Sequence, residues 1–561
     1  MTISVVGTFM SFVPFFYIFL AALFTSLIMV PLLHRWAMQT GQLDQPDARK
    51  VHVHGVPRIG GIAVFMAFLF ACLIFAEMTP SVRGLLAGGL IIFFVGLIDD
   101  LHGLSPKRKF FGQIGGALVT MIVGQIYLAN LGDLFGFGEI ILPFWLAVPA
   151  TVFAVVGVCN ALNLIDGLDG LAGGVAVIAL STFFVFAGVD KNLSVMTLCA
   201  ALLGAIFGFL KYNFYPARIF MGDAGSLSLG FAVAFIAIDL TQHPASQIDP
   251  ISPLLVLGVP IVDTLWVFAR RMYHGGSPFA ADRTHVHHKF LQLGFEHRFT
   301  VLIIYGLCFF WAAFSLVFYH YPTYLQLLSF FLVSLVFYLA LRYLLRHPER
   351  FSWILSRDDS TGIRTTVTYK RIAEKLRLLE TLLGLTILSY LGLAITAILS
   401  RGNSQGGYAA LLLLLGTIFF VLFRRVDHPG LLAILYLSSL LICFLVERTG
   451  HLSFWGGWEQ DQGVNLLFGL MALLIFLRAT FRHDGDFFFS SLDILLLGSS
   501  LVLMIIPEEF SSLYWSQGTT LKGILLFLGV KVLISLQPKF SLVVVAGVGG
   551  GVLTALLRSF W

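Results

Sequence analysis

From about Phe12 onward the chain is a succession of long apolar runs broken by short polar loops. Each run covers roughly 17 to 25 residues, the length a helix needs to cross the hydrocarbon core of a bilayer, and about eighteen can be placed. The pattern predicts an all-α polytopic membrane protein. The first run, from near Phe12 to Leu33, has neither a basic start nor a small-residue cleavage site, so it is expected to remain as a span and not to be removed as a signal peptide.

The rhythm is interrupted once at length. Between Arg342 and Arg377 the chain turns basic, with Arg346, Arg350, Arg357, Arg364, Lys370, Arg371 and Lys375 around Asp358-Asp359 and Thr361-Gly362. This predicts a helical bundle over residues 1–345, a cytoplasmic linker over 346–375 ending in an amphipathic helix, and a second transmembrane domain over 376–561. In the last part about seven further runs begin near Leu379, Ala409, Leu431, Asn465, Ile494, Leu521 and Phe540. No internal repeat relates the two parts, so nothing supports an inverted-repeat transporter.

Composition fixes the class. Of 561 residues 58% are hydrophobic and 12% charged, with 55 Gly and 55 Phe, far from the soluble norm. The five cysteines all lie in apolar runs without CxxC pairing, which argues against disulfides and a thiolate metal site. A net charge of +5 is small and comes from loops; it bears on orientation and gives no ground for a nucleic-acid partner. Counting spans from an external N-terminus puts segments 34–59, 99–109, 163–169, 211–225 and 271–299 on one face. That face carries the Lys and Arg excess, while the opposite loops offer little beyond Arg83 and Lys191, so the first face is assigned to the cytoplasm.

Each of the five loops on that face holds polar groups of the kind phosphate chemistry requires. The first contains Arg49-Lys-Val-His52 and Pro57-Arg-Ile-Gly-Gly61, where Lys50, His52 and Arg58 could meet phosphate oxygens; a basic loop also serves simply to fix topology. The second ends a span with Asp99-Asp100, followed by Lys107-Arg-Lys109. Adjacent carboxylates repel unless a cation holds them, and the C-terminal end of a helix is the wrong end of its dipole for acids. The third, Asn160-Ala-Leu-Asn-Leu-Ile-Asp-Gly-Leu-Asp-Gly-Leu171, sets Asn163, Asp166 and Asp169 at a span's edge, where such groups are costly unless they line a wet or liganded cavity. Its spacing does not fit a calcium loop, and the bland alternative is a tight turn. In the fourth, Phe220-Met-Gly-Asp-Ala-Gly-Ser226, Asp223 is either an N-cap of a helix beginning at Gly225-Ser226 or a metal ligand beside free N–H groups. The fifth carries Arg283 and His285-Val-His-His-Lys289. His285, His287 and His288 lack a matching fourth zinc ligand and sit beside cations, which suits diphosphate recognition better.

These five stretches, in this order, resemble the bacterial polyprenyl-phosphate N-acetylhexosamine-1-phosphate transferase family, which is glycosyltransferase family 4. The resemblance covers about residues 12 to 345. It implies a bundle of ten or eleven transmembrane helices with a cytoplasmic active-site groove in the bacterial inner membrane. It also implies Mg²⁺-dependent transfer of a sugar-1-phosphate from a UDP-N-acetylhexosamine to undecaprenyl phosphate, with release of UMP and Mn²⁺ able to substitute. Carried over by position, Asp223 would ligate Mg²⁺, and Asp99 and Asp100 would position or deprotonate the lipid phosphate and neighbour the metal. Asp166, Asp169 and Phe220 would build the uridine pocket, Lys50 and Lys109 would meet phosphates, and the loop of His285, His287 and His288 would close over the sugar and diphosphate; Asn163, His52, Arg58 and Arg283 join them as substrate-binding candidates from the character of their own loops.

The HxHH form looks like the branch that begins O-antigen, enterobacterial common antigen, teichoic acid or capsule chains on N-acetylglucosamine. The peptidoglycan branch, acting on N-acetylmuramoyl-pentapeptide, has a third histidine where this chain has Val286, and is kept as an alternative. A homodimer is a further partner expectation. The rival from another class is an anion transporter, motivated by the many spans and by Asp263 within an apolar run; with Arg270 seven residues on along the same helical face, Asp263 reads instead as a structural charge paired with it or as a groove-wall charge. The spans beyond residue 350 have no counterpart in the minimal fold.

The orientation can be checked directly. Cysteines introduced at Ser105 and Ser277 are expected to be shielded from impermeant thiol reagents in intact cells, and one at Ser246 to be labelled. The reverse pattern would overturn the assignment of the five motifs to the cytoplasm.

Overall fold

The computed structural model describes residues 13–41, 55–244, 246–275, 285–347 and 376–400, parts of 434–446, and 460–480, 517–536 and 546–554. Regular structure among them is helical, apart from isolated bridge pairing such as Asn130 with Ile141. The chain divides into two compact units, the first built mainly from Met1–Leu355. The expected linker lies largely outside the described residues, as do Lys50, His52 and Arg283 and the expected runs near Ala409 and Ile494.

In the first unit α1 (Val13–Thr40), α2 (Gly60–Phe75), α3 (Pro80–His102), α4 (Pro106–Gly124) and α5 (Phe144–Ile165) are followed by α6 (Leu171–Val189), α7 (Leu193–Asn213) and α8 (Gly222–Gln242). Then α9 (Ile251–Val256) breaks at Leu257 into α10 (Gly258–Tyr273), and the short α11 (Val286–Gln292) leads to α12 (His297–Phe318) and α13 (Thr323–Arg346). Among the described residues nine helices are long and apolar enough to cross a membrane, eight of them in this unit. The shorter apolar helix α2 lies beside them. The protein is an all-α, multi-pass membrane protein.

Local signals explain where helices start. Thr79 and Ser105 accept hydrogen bonds from Val82 and Arg108 N–H groups at 3.3 and 3.5 Å, and each is followed by a proline whose missing donor costs nothing in a first turn. Apolar side chains point outward as well as inward: Phe70, Leu73 and Ile74 on α2 and Leu332 and Val336 on α13 are exposed, the arrangement expected of helices facing lipid.

Helix α8 is the hub, packed against α2, α3, α5, α6 and α7 and almost wholly buried. Lipid tails are as apolar as leucine, so helices associate in a bilayer through close packing, which small residues permit. Helix α8 supplies Gly222, Ala224, Gly225, Ser226, Ser228 and Gly230. A side chain on Gly61 would collide with the backbone of Gly225, and one on Gly96 would come within 2.6 Å of the Ala224 Cα, so α2 and α3 lie directly on the first turn of α8. Loop and helix are also tied by backbone bonds: Gly60 and Gly61 N–H groups donate to Phe220 and Met221 carbonyls at 2.9 and 2.7 Å, and Phe220 N–H donates to Pro57 O at 2.8 Å.

The second unit contains α14 (Leu376–Ser400), α15 (Gln460–Thr480) and α16 (Gln517–Leu536), which pack on one another. Tyr390 lies with its ring 4.7 Å from Phe468, and its hydroxyl is 3.2 Å from the Cys443 Sγ.

Replacing Gly61 by Val should force α2 off α8. The expected loss is about 1–3 kcal/mol of stability, read as a lowered midpoint of thermal unfolding in detergent. An unchanged midpoint would contradict the close approach.

Candidate active site

The site grows from the N-terminal end of α8. The helix begins at Gly222, three residues earlier than the sequence suggests, so Asp223 sits in its first turn and is not its N-cap. The capping acceptor comes instead from α3: Asp100 takes the N–H of Asp223 on Oδ1 and that of Ala224 on Oδ2, both at 2.8 Å. This answers the dipole objection to acids at the end of α3, because the carboxylate faces the positive end of a different helix. Gly222 has φ +71°, and a Cβ there would meet the Arg58 carbonyl and lie 2.7 Å from Asp100 Oδ2, so only glycine fits between loop and carboxylate.

Asp99 takes a different part from its neighbour. Its Oδ1 accepts the Leu104 N–H at 2.5 Å, and its Oδ2 pairs with the Lys109 ammonium. Lys109 also reaches Asp223 Oδ2 at 2.5 Å, so one cation from α4 holds carboxylates from α3 and α8 together. Asn163 at the end of α5 donates to Asp223 Oδ1 at 3.1 Å and contacts Ser226 Oγ at 2.7 Å.

Beside this cluster lies a cavity of about 300 Å³ lined by Arg58, Asn163, Asp166, Gly167, Leu168, Asp169, Asn213, Phe220, Gly222 and Asp223. Six residues expected from three separate loops therefore share one space. Asp166, just beyond α5, is held at a pKa of about 7, mainly because burial penalises its charge and further because Asp223 is near; the Arg58 guanidinium pulls the other way. Asp169 lines the cavity, but its polar bonds are spent on the chain: Oδ2 accepts the Ala217 N–H at 2.9 Å, and its own N–H donates to His297 Nε2 at 2.9 Å. It fastens the loop before α8 to the turn after α5.

The fifth motif stands behind the cavity wall. His287 Nε2 lies 2.5 Å from where a Gly167 Cβ would be, and His287 is held neutral by burial and by the neighbouring His288, His285 and His297. His285 does not face the cavity. Its Nδ1 bonds Asp263 Oδ2 at 2.8 Å, which corrects the expected pairing of Asp263 with Arg270. Helical spacing shows which residues share a face, but not what another element brings to it.

Residues that sequence reasoning left out complete the frame. Asn213 accepts the Gly170 N–H at 3.0 Å and donates to the Ile219 carbonyl at 2.9 Å, and Tyr305 donates to the Gly170 carbonyl at 2.7 Å. Asn213 lies within the polar stretch before Phe220 and was open to notice; Tyr305 sits in an apolar run and carried no signal.

Chemically the arrangement offers hard oxygen donors, two cations and a polar cavity. No group of three His, Cys, Asp or Glu side chains among the described residues converges to hold a metal unaided. Asp223 and Asp99 are nevertheless a pair of carboxylates drawn to one positive charge. That donor set fits Mg²⁺, which takes one or two carboxylates and leaves its other positions to water and phosphate. Asp100, with both oxygens engaged by backbone N–H groups, fits a capping role better than a ligand role.

Residues 82–241 match the profile of Glycosyl transferase family 4. Over 292 residues, 51% of this chain and 80% of the relative, the sequence is 36% identical to a protein of Bacillus subtilis (strain 168) named probable undecaprenyl-phosphate N-acetylglucosaminyl 1-phosphate transferase. Proteins named undecaprenyl-phosphate alpha-N-acetylglucosaminyl 1-phosphate transferase from Yersinia pestis and Escherichia coli (strain K12) are 34% and 32% identical. Those two matches cover 48% and 50% of this chain and 74% and 77% of the relatives.

The two neighbouring aspartates should separate on substitution. Asp100→Ala strands two N–H donors at the buried start of α8 and is expected to cost about 1–3 kcal/mol in thermal stability. Asp99→Ala leaves Lys109 paired with Asp223 and should cost less. Equal losses would contradict the assignment.

Proposed function

We propose that this chain, which belongs to glycosyl transferase family 4, transfers N-acetylglucosamine-1-phosphate from its UDP-sugar to undecaprenyl phosphate. The reaction releases UMP at the cytoplasmic face of the bacterial inner membrane and starts a cell-envelope polysaccharide. The observation that carries the reading is the meeting of Asp223 with Lys109, Asn163 and Asp99 beside a cavity that also holds Arg58, Asp166 and Phe220. The names of the relatives support the choice of lipid and sugar.

In the reaction an oxygen of the lipid phosphate attacks the sugar-bearing phosphorus of the UDP-sugar. The new P–O bond makes the lipid diphosphate, the bond to the bridging oxygen breaks, and UMP leaves with that oxygen. Two anions must approach, so neutralisation and alignment are the protein's main tasks. Mg²⁺, held by Asp223 with Asp99, would neutralise the diphosphate and orient it. Lys109 and Arg58 add positive charge on either side of Asp223. Phe220 offers an aromatic wall to the uracil. Asp166, poised near neutrality, accepts hydrogen bonds from the nucleoside. Asp169 and Asn213 keep the floor of the cavity in shape.

The transporter alternative loses its motive. Its key residue, Asp263, is engaged by His285, and the remaining acids among the described residues lie in loops or towards helix ends.

Purified protein should release UMP from UDP-N-acetylglucosamine only when Mg²⁺, or Mn²⁺ in its place, and undecaprenyl phosphate are both present. Release without the lipid, or none with all three, would sink the reading. Asp223→Asn should lower turnover by at least about a hundredfold, roughly 2.7 kcal/mol in the barrier, because an amide is a far poorer Mg²⁺ ligand. Near-normal turnover at saturating Mg²⁺ would remove Asp223 from the metal site.

The second domain, residues 376–561, is not part of this machinery in our reading. A chain ending near Arg350 is expected to keep turnover within about tenfold of the full chain, or roughly 1.4 kcal/mol, at matched folded amounts. Complete loss in a folded truncate would mean that the later helices shape the site.

A further inference from the structure

Asp263 on α10 is buried, 2% exposed, and the proposed reaction makes no use of it. An ionisable group so placed in a membrane protein is costly unless it is fully engaged. Here it is. Its Oδ2 bonds His285 Nδ1 at 2.8 Å, and its Oδ1 accepts the backbone N–H of Val286 at 2.9 Å and the Tyr338 hydroxyl at 3.2 Å. His285 is itself only 4% exposed. Three elements meet on one carboxylate: α10 supplies it, α13 supplies Tyr338, and the first residues of α11 supply an imidazole and an N–H.

This grip has a direction. Tyr338 is stacked on Trp266 of α10 with ring centroids 5.0 Å apart, and the Lys289 ammonium of α11 lies 5.0 Å from the Tyr338 ring. The far side of α11 is therefore fixed against α10 and α13. Its near side carries His287, itself 1% exposed, whose ring is parallel to that of His285 at 5.9 Å and whose Nε2 fills the place a Gly167 side chain would take behind the cavity wall. His287 Nδ1 is buried with no hydrogen-bond partner among the described residues. A buried imidazole nitrogen left without a partner is expensive, and this one stands in the motif that abuts the cavity.

We propose that Asp263 is a positioning residue: by clamping His285 and the Val286 N–H it sets the register of α11, so that His287 is the imidazole presented to the bound sugar diphosphate. The motif then divides by job. His285 is the clamped half and never meets substrate, while His287, with His288 beside it, is the recognising half. This rests on the reading that the cavity binds a UDP-sugar, and it adds which residue sets the histidine that faces it.

The test uses the full-length protein in detergent or nanodiscs. Asp263→Ala should raise the KM for UDP-N-acetylglucosamine by about tenfold or more while leaving that for undecaprenyl phosphate within about twofold, since only interactions with the sugar nucleotide are lost. Asp263→Asn, which keeps an acceptor for the Val286 N–H, should recover most of the loss. Added to His287→Ala, Asp263→Ala should cost little more, because both act through one group. Hydrogen exchange supplies a readout that needs no activity: Asp263→Ala should lose protection over residues 285–292 and keep it along α10 and α13.

A fall in kcat with both KM values unchanged, additive losses in the double variant, or exchange rising equally across α10, α11 and α13 would each overturn the proposal. Should Asp263→Ala fail to fold, His285→Ala must give the same KM and exchange pattern, and an unchanged pattern there overturns it too. If the wild-type protein releases no UMP, the functional reading falls, while the exchange experiment still decides the clamp.

Discussion

The first turn of α8 is where the molecule's electrostatics are settled. Its N–H groups are taken by Asp100, its Asp223 side chain is held by Lys109 and Asn163, and Lys109 draws Asp99 to the same point. Four carboxylates including Asp166 lie around one helix end, which would be untenable without these partners. Because α8 is also the helix on which five others pack, the charge balance at its end and the packing of the bundle are parts of one constraint. Small residues in α8 let α2 and α3 come close enough to bring Arg58 and Asp99-Asp100 into range.

Much of this was readable from the sequence, and for a physical reason. Polar and ionisable residues are rare in membrane spans, so the five loops stood out against the apolar runs, and Asn163, Asp166, Asp169, Phe220, Asp223 and Arg58 do come together around one cavity. What could not be read was partnership between elements. Asp99 and Asp100 are adjacent in the chain and look alike, yet one faces a lysine and the other a helix terminus. Asp263 shares a helix face with Arg270, but its partners arrive from α11 and α13. Histidines of one motif were expected to act together, whereas His285 bonds Asp263 and His287 lies against Gly167. Residues such as Tyr305, whose hydroxyl meets a backbone carbonyl across the bundle, carry no local signature at all.

The division of labour among acids follows from their surroundings. Asp100 accepts two backbone N–H groups and Asp169 one, and both build the frame, whereas Asp223 and Asp99 share a cation that a metal and phosphates could replace. Asp166 faces the cavity with its charge penalised by burial, so a ligand that donates hydrogen bonds would be welcomed there. One structural zone thus combines a rigid rim and a responsive centre, which suits a reaction that demands alignment of two anions more than covalent work by the protein.

The central claim is that the phosphorus, and not the sugar alone, changes hands. UDP-N-acetylglucosamine carrying a radiolabel on its sugar-bearing phosphorus, incubated with the full-length protein, Mg²⁺ and undecaprenyl phosphate, decides it. The account predicts that the label moves into the lipid fraction in step with the appearance of unlabelled UMP. Label left in the aqueous phase as UDP while the sugar becomes lipid-bound would contradict it.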